Sequence, residues 1–276
     1  MRLLPRNPKP GTVFRCYNGR LALFHEVGNS VKYWREYWSG AKRAELTKQA
    51  KLGELYDYDA PVRKHVPKEL PVLEAGCGPG HMVAALVARG YKAIGVDFEP
   101  EVVRFVNKMW PLLNVVEGDV RRLDVADGSI GCYLSGGVVE HFPEGPAGAL
   151  REARRVLHPN GVALIEVPYL NPGRAKLLRW LTEHDDSKSV SAFYQYYFSV
   201  KEFKGLLLQS GLQAIEIVPC AVEAFIIREH PIASRLWQSN LCREKIKKPL
   251  RRWFRSPPQW LRRRAGHTIL TVSVPV

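Results

Sequence analysis

The chain has 276 residues, 46% hydrophobic and 25% charged, the balance of a soluble globular protein and not of a disordered or collagen-like one. Its 41 Lys and Arg against 27 Asp and Glu leave a net charge of +14, enough to draw phosphate-rich partners or an anionic membrane surface. No run approaches the roughly 18 apolar residues that cross a bilayer, and Cys16, Cys77, Cys132, Cys220 and Cys242 form no CxxC pair, which argues against a zinc site or a disulfide framework and makes the cytoplasm the default compartment.

Residues 1–20 are Pro-rich, lack the apolar core of a secretory signal, and read as an extended arm. From residue 21 to about 55, Phe24, Val27, Val31, Trp34 and Trp38 recur at spacings of three and four, which predicts a helix; residues 1–66 are then an arm and a helical cover. The periodicity changes at residues 71–75, a short apolar strand ending in Gly76-Cys77-Gly78-Pro79-Gly80, followed by a helix that stops at Gly90. Residues 92–96 form a second strand ending at Asp97, and a helix opens near Pro100. A third strand at 113–117 closes on Gly118-Asp119-Val120, and a fourth spans 130–135. A helix at 146–157, the turn Pro159-Asn160-Gly161 and a fifth strand at 162–167 follow. After an irregular stretch come a helix at 200–210 and two last strands, 213–218 and 267–274. Such alternation predicts an α/β fold with a seven-stranded, mostly parallel, Rossmann-like sheet and helices on both faces, over a domain at 67–276.

A strand, a glycine turn and a helix start bring backbone N–H groups and a positive helix end to the carboxyl edge of the sheet, where doubly wound proteins bind ligands. Asp97, at the end of the next strand, can accept hydrogen bonds from both hydroxyls of a ribose, and Asp119 ends the strand after that. The pyrophosphate fingerprint GxGxxG would need a third glycine at position 81, which is His81, so an NAD-dependent oxidoreductase fits less well.

As a set, these motifs resemble those of the class I S-adenosylmethionine-dependent methyltransferases. Glu74-Ala75-Gly76-Cys77-Gly78-Pro79-Gly80 is similar to their first motif, Gly95-Val96-Asp97 to their second strand and Glu117-Gly118-Asp119-Val120 to their adenine-side motif. The segment 135–142 resembles the one between cofactor and acceptor, and 157–162 the turn into strand five. The resemblance implies S-adenosylmethionine as cofactor and S-adenosylhomocysteine as product. It implies that Gly76, Cys77, Gly78 and Gly80 line the methionine moiety and Glu74 stands near the amino end. Asp97 and Phe98 would then take the ribose side, Asp119 and Val120 the adenine, with Ser135 and Gly136 beside them. Relatives carry an Asp just before strand four, where this chain has Gly131.

The sulfonium is already electrophilic, so the protein must align the acceptor, exclude water and, for an oxygen or nitrogen acceptor, remove a proton. His141 is the candidate base, or else it orients its loop. Tyr169, Tyr194 and Tyr197, in the long stretch 169–199, are candidates for the acceptor pocket or for plain packing. No full ligand set is visible, so no metal is expected. Between residues 221 and 265 lie 12 basic and three acidic residues, +9 of the +14. Ile232, Leu236, Leu241, Ile246, Leu250, Trp253 and Phe254 fall roughly on one helical face of this insertion, which Pro249 must interrupt. It fits a solvated flap packed on the domain, a peripheral contact with an anionic membrane through 228–264, or a nucleic-acid backbone. The expected activity is methyl transfer to an oxygen or nitrogen of a small-molecule acceptor, lipid-linked or glycan in kind. An RNA methyltransferase and a non-catalytic adaptor are the alternatives, and the oligomeric state is open.

Overall fold

The structure is a computed structural model that describes residues 11–26, 28, 33–34, 36, 50, 53–184, 192–239, 249–250, 253 and 257–276. Among the described residues the strands are β1 (Thr12–Tyr17), β2 (Arg20–His25), β3 (Val72–Ala75), β4 (Ala93–Asp97), β5 (Asn114–Glu117), β6 (Ile130–Gly136), β7 (Leu157–Pro168), β8 (Ala192–Tyr196), β9 (Leu212–Cys220) and β10 (Thr268–Pro275). The helices are α1 (Asp59–His65), α2 (His81–Ala88), α3 (Pro100–Met109), α4 (Ala147–Val156), α5 (Pro172–His184), α6 (Val200–Gln209), α7 (Val222–Arg228), α8 (Ala233–Gln238) and α9 (Gln259–Ala265).

The chain forms two compact units. One takes in Asn29–Glu166, Phe203–Ile217 and Leu270–Val276; the other Met1–Gly28, Val167–Glu202 and Val218–Ile269. The main sheet has seven strands in the order β5-β4-β3-β6-β7-β10-β9. From β5 to β7 every pairing is parallel. Residues of β3 and β6 are buried almost without exception, which is why they read as continuous apolar runs and not as alternating ones. β10 turns the other way: His267 N donates to Cys220 O near one end and Val276 N to Gly211 O at the other, rungs that only an antiparallel neighbour of β9 can make. The expected mostly parallel seven-stranded sheet is therefore the observed one.

Helix α3 shows why these segments fold as they do. Pro100 sits in its first turn, the Glu99 side chain caps it by accepting from Glu101 N at 3.2 Å, and Val102, Val103 and Val106 form its buried stripe. Each such valine removed from water stabilises the packing by about 1.5–3 kcal/mol. α4 likewise buries Ala149, Leu150, Ala153 and Val156. The chain leaves β3 outward through β4 and β5, then crosses back to β6 on the other side. That reversal opens a crevice at the carboxyl ends of β3 and β6.

Three expectations need correction. Residues 12–25 are neither an arm nor the start of a helix but a hairpin, β1 against β2, closed by Asn18 and Gly19 with φ of +50° and +73°. Two positive φ values make the type I′ turn that matches strand twist, and Asn-Gly is its favoured pair. The rest of the predicted helix lies largely outside the described residues. The stretch 169–199 is not irregular: it holds α5 and then β8, which pairs antiparallel with β2 in a three-stranded sheet. Finally, the helical face expected over residues 232–254 breaks well before Pro249, at Ser239: among the described residues the insertion holds the short helices α7, α8 and α9, while Leu241, Ile246 and Phe254 lie outside the described residues.

Candidate active site

The glycine turn after β3 is held from below by β4. Gly76 N and Cys77 N both donate to Val96 O, at 2.7 and 2.9 Å, and Gly78 N donates to Asp97 Oδ2 at 2.8 Å. Gly76, Gly78 and Gly80 all have positive φ, and a Cβ on Gly76 would come within 2.4 Å of Val138 Cγ2. The turn can therefore be made only of glycine where it passes the loop after β6. Asp97 also accepts from Glu99 N at 3.0 Å. Burial raises its pKa and the N–H donors of Glu99 and Gly78 oppose that rise. Each carboxylate oxygen keeps a second lone pair for an incoming hydroxyl.

Around this turn lies a cavity of about 440 Å³, within the size range of small-molecule sites. Gly76, Asp97, Phe98, Asp119, Val120, Gly136 and His141 line it, all of them sequence-stated candidates brought together from the ends of β3, β4, β5 and β6. Glu74, Cys77, Gly78, Gly80 and Ser135 are not among the lining residues. Gly80 instead occupies the left-handed N-cap position of α2, and Ser135 is fully buried. Glu74 is buried with Oε2 lacking a hydrogen-bond partner, and that burial holds its pKa well above the usual carboxylate range. Tyr169, Tyr194 and Tyr197 belong to the other unit. Tyr197 is buried with Phe14, Leu21, Leu23, Leu177 and Leu181, Tyr194 packs on the same cluster, and Tyr169 donates its hydroxyl to Arg263 O at 3.2 Å.

The cavity wall holds residues the sequence reading passed over. Arg121 donates to Asp119 through Nη2 at 2.7 Å and its own backbone N at 2.8 Å, and to Glu144 through Nη1 at 2.8 Å. Its guanidinium carbon lies 4.7 Å from the centre of the Phe142 ring. The Arg121 hydrogen bonds lower the pKa of Asp119, which stays ionised. The signal that could have exposed this clasp is an arginine two residues past the strand-end aspartate, with an acidic residue just beyond the His141 segment. Trp34, in the segment expected to be a helical cover, lines the cavity and meets the His141 ring edge-on at 4.9 Å between centroids. His141 Nε2 is 3.7 Å from Glu140 Oε1, too long for a hydrogen bond. Among the described residues no group of His, Cys, Asp and Glu is gathered to hold a metal.

The donor set suits a nucleoside. Asp97 offers oxygens to vicinal hydroxyls, the half-exposed Phe98 ring and Val120 offer apolar faces to a flat base, and Asp119 offers an acceptor shared with Arg121. Comparison with known proteins agrees. Residues 73–165 match the methyltransferase domain family.

A Mycobacterium tuberculosis protein named as a probable S-adenosylmethionine-dependent methyltransferase is 25% identical over 154 residues, covering 55% of this chain and 51% of its own. A demethylmenaquinone methyltransferase of Chlorobaculum parvum is 27% identical over 176 residues, covering 58% of this chain and 73% of its own. The chain thus spans about half the length of the mycobacterial relative. A TehB-like S-adenosylmethionine-dependent methyltransferase from Corynebacterium glutamicum shares the fold with a TM-score of 0.54 at 16% identity, over 90% of this chain and all of that one.

Proposed function

We propose that the protein transfers the methyl group of S-adenosylmethionine to an oxygen or nitrogen of a small-molecule acceptor that is lipid-linked or part of a glycan, working in the cytoplasm at the inner face of a membrane. The observation that carries the reading is a single cavity lined by the strand-end carboxylates Asp97 and Asp119 together with His141. The relative named for demethylmenaquinone supports a small-molecule acceptor.

In this reading Asp97 holds the ribose hydroxyls, Phe98 and Val120 flank the adenine, and Asp119 accepts from its amino group beside Arg121. Gly76 and Gly136 line the cavity, and glycine is needed at both for packing: a Cβ on Gly136 would meet Tyr58 Oη at 2.5 Å and one on Gly76 would meet Val138 Cγ2. When bound, S-adenosylmethionine supplies a methyl carbon on positively charged sulfur. His141, buried against Trp34 and near Glu140, takes the acceptor's proton as methyl transfer proceeds, and general-base assistance of this kind contributes roughly 10²–10⁴-fold. Trp34, Val138, Phe142 and Pro143 present apolar surface that keeps water from the reacting atoms.

Calorimetric titration with S-adenosylhomocysteine and with NAD tests the cofactor. Binding of the former and not the latter is expected, and the reverse overturns the reading. Labelled methyl uptake from cell extract then identifies the acceptor pool as small molecules, lipids or RNA. On that acceptor His141→Ala is expected to lower kcat at least a hundredfold with S-adenosylhomocysteine affinity unchanged; intact turnover removes the base assignment alone.

A further inference from the structure

Two helices of the basic insertion turn apolar side chains to the outside. Next to and on α8, Ile232, Arg235 and Leu236 stand at spacings of three and four, hence on one face, and Ile232 and Leu236 are 50% and 54% exposed. On α9 the same spacing joins Trp260, Arg263 and Arg264, with Trp260 61% exposed. These residues are not outside for want of a core. Leu261 and Ala265 on the inner side of α9 pack on Val222, Phe225 and Ile226 of α7, and Ser234 of α8 is buried. Each helix therefore has its anchored face, and the apolar residues that a flap packed on the domain would hide lie on the other one. They stand within a segment carrying 12 basic and three acidic residues.

We propose that the faces Ile232-Arg235-Leu236 and Trp260-Arg263-Arg264 dock the protein on an anionic phospholipid bilayer. Residue type decides between the anionic partners. An RNA backbone is met by cations and its bases by stacking aromatics, and neither gains from exposed Ile and Leu. An interfacial surface needs this mixture: aliphatic and indole side chains enter the headgroup boundary while arginines stay with the phosphates. The proposal deepens the lipid-linked acceptor reading above and rests on it for its purpose, but the docking surface is measurable apart from it.

The test uses the full chain with vesicles of phosphatidylglycerol and phosphatidylcholine in equal parts, or of phosphatidylcholine alone, read by flotation. Flotation with the anionic vesicles only, lost progressively with salt, is the expected result. L236S/W260S alters two exposed positions and is expected to cut vesicle affinity at least tenfold while thermal melting and S-adenosylhomocysteine titration stay as in the wild type. R263Q/R264Q is expected to weaken binding several-fold and to flatten its salt dependence. No flotation, undiminished flotation of L236S/W260S, retention of poly(U) without vesicle binding, or a dimer that L236S/W260S converts to monomer without vesicle binding each overturns the proposal. Flotation by a protein that fails to bind S-adenosylhomocysteine leaves the docking surface standing and removes the methyl-transfer reading instead.

Discussion

The carboxyl of Glu140 sits in the turn after β6, 2% exposed, with Oε2 lacking a hydrogen-bond partner. Burial, reinforced by the negative charge of Glu166, pushes its pKa up to about 8 from an ordinary 4.5. The facing groups include Glu166 and His141, and the second lies 3.7 Å away. Between those two values the folded protein keeps a proton that the unfolded chain releases. The native state thus binds more protons, and stability must fall as pH rises from about 4.5 to about 8, then level off. One proton limits the slope to about 1.4 kcal/mol per pH unit. Glu140→Gln mimics the neutral form, so its urea-unfolding free energy at pH 5, 6.5 and 8 is expected to lose most of that slope relative to wild type. An unchanged slope would show that Glu140 is ionised in the fold. The Glu-His pair was visible in the sequence, but its depth was not: the burial of position 140 and the charge of Glu166 on β7 that acts on it arise from tertiary packing, which no local pattern reports.

At the scale of elements, legibility followed the range of the interactions. β3, α2, β4 and α3 were readable because each carries its own punctuation: the glycine turn, Gly90, Asp97 and Pro100. The crevice residues Asp97 and Asp119 could be placed because they end strands whose order follows from a single crossover rule. β8 was not readable, since its partner β2 lies some 170 residues earlier and its aromatic run looks the same in a loop. The hairpin is a different case. Asn18-Gly19 is a strong local turn signal, while the three-and-four spacing from residue 21 onward points instead to a helix. The turn now makes a clean test, because a Cβ on Gly19 would meet nothing within 4 Å and only its φ of +73° resists substitution. Gly19→Val should therefore cost the hairpin about 1–2 kcal/mol, the left-handed penalty of a side chain. Gly19→Asn should cost only a few tenths. Amide hydrogen exchange across residues 12–25 reads this directly, with rates expected to rise about 5–30-fold for the valine. Exchange as slow as wild type would mean the I′ geometry is not what holds the hairpin.

Across the whole molecule, each unit is assembled from stretches far apart in the chain, and the second unit shows what joins them. Its first and second stretches share an apolar cluster of Phe14, Leu21, Leu23, Leu177, Leu181 and Tyr197. Its second and third are tied by charge. Arg174, fully buried on α5, donates to both oxygens of Glu229, with Nε to Oε2 at 2.7 Å, and to the carbonyls of Tyr169 and His267 at 2.6 and 2.7 Å. Its guanidinium also lies over the Tyr197 ring at 4.3 Å. Burial alone would raise the pKa of Glu229. The charge of Arg174 and the hydrogen bonds from His267 and Arg174 overcome it and bring the value to about 2. Because that value lies below the unfolded one of 4.5, the stabilisation is complete above pH 4.5 and is lost as pH falls toward 2. Glu229→Gln leaves the buried guanidinium without its counter-charge, which costs about 3–5 kcal/mol, whereas R174M/E229L removes both charges and should cost much less. Guanidinium unfolding at pH 7 checks the order of the two variants. The cavity of Asp97, Asp119 and His141 is lined wholly by residues of the first unit, so S-adenosylhomocysteine titration of the folded Glu229→Gln protein is expected to match wild type. If the double variant proves the less stable of the two, the pair is a net contributor and not a charge that merely needs its partner. If the single variant folds yet loses the nucleoside, binding depends on more of the chain than the residues that line the cavity.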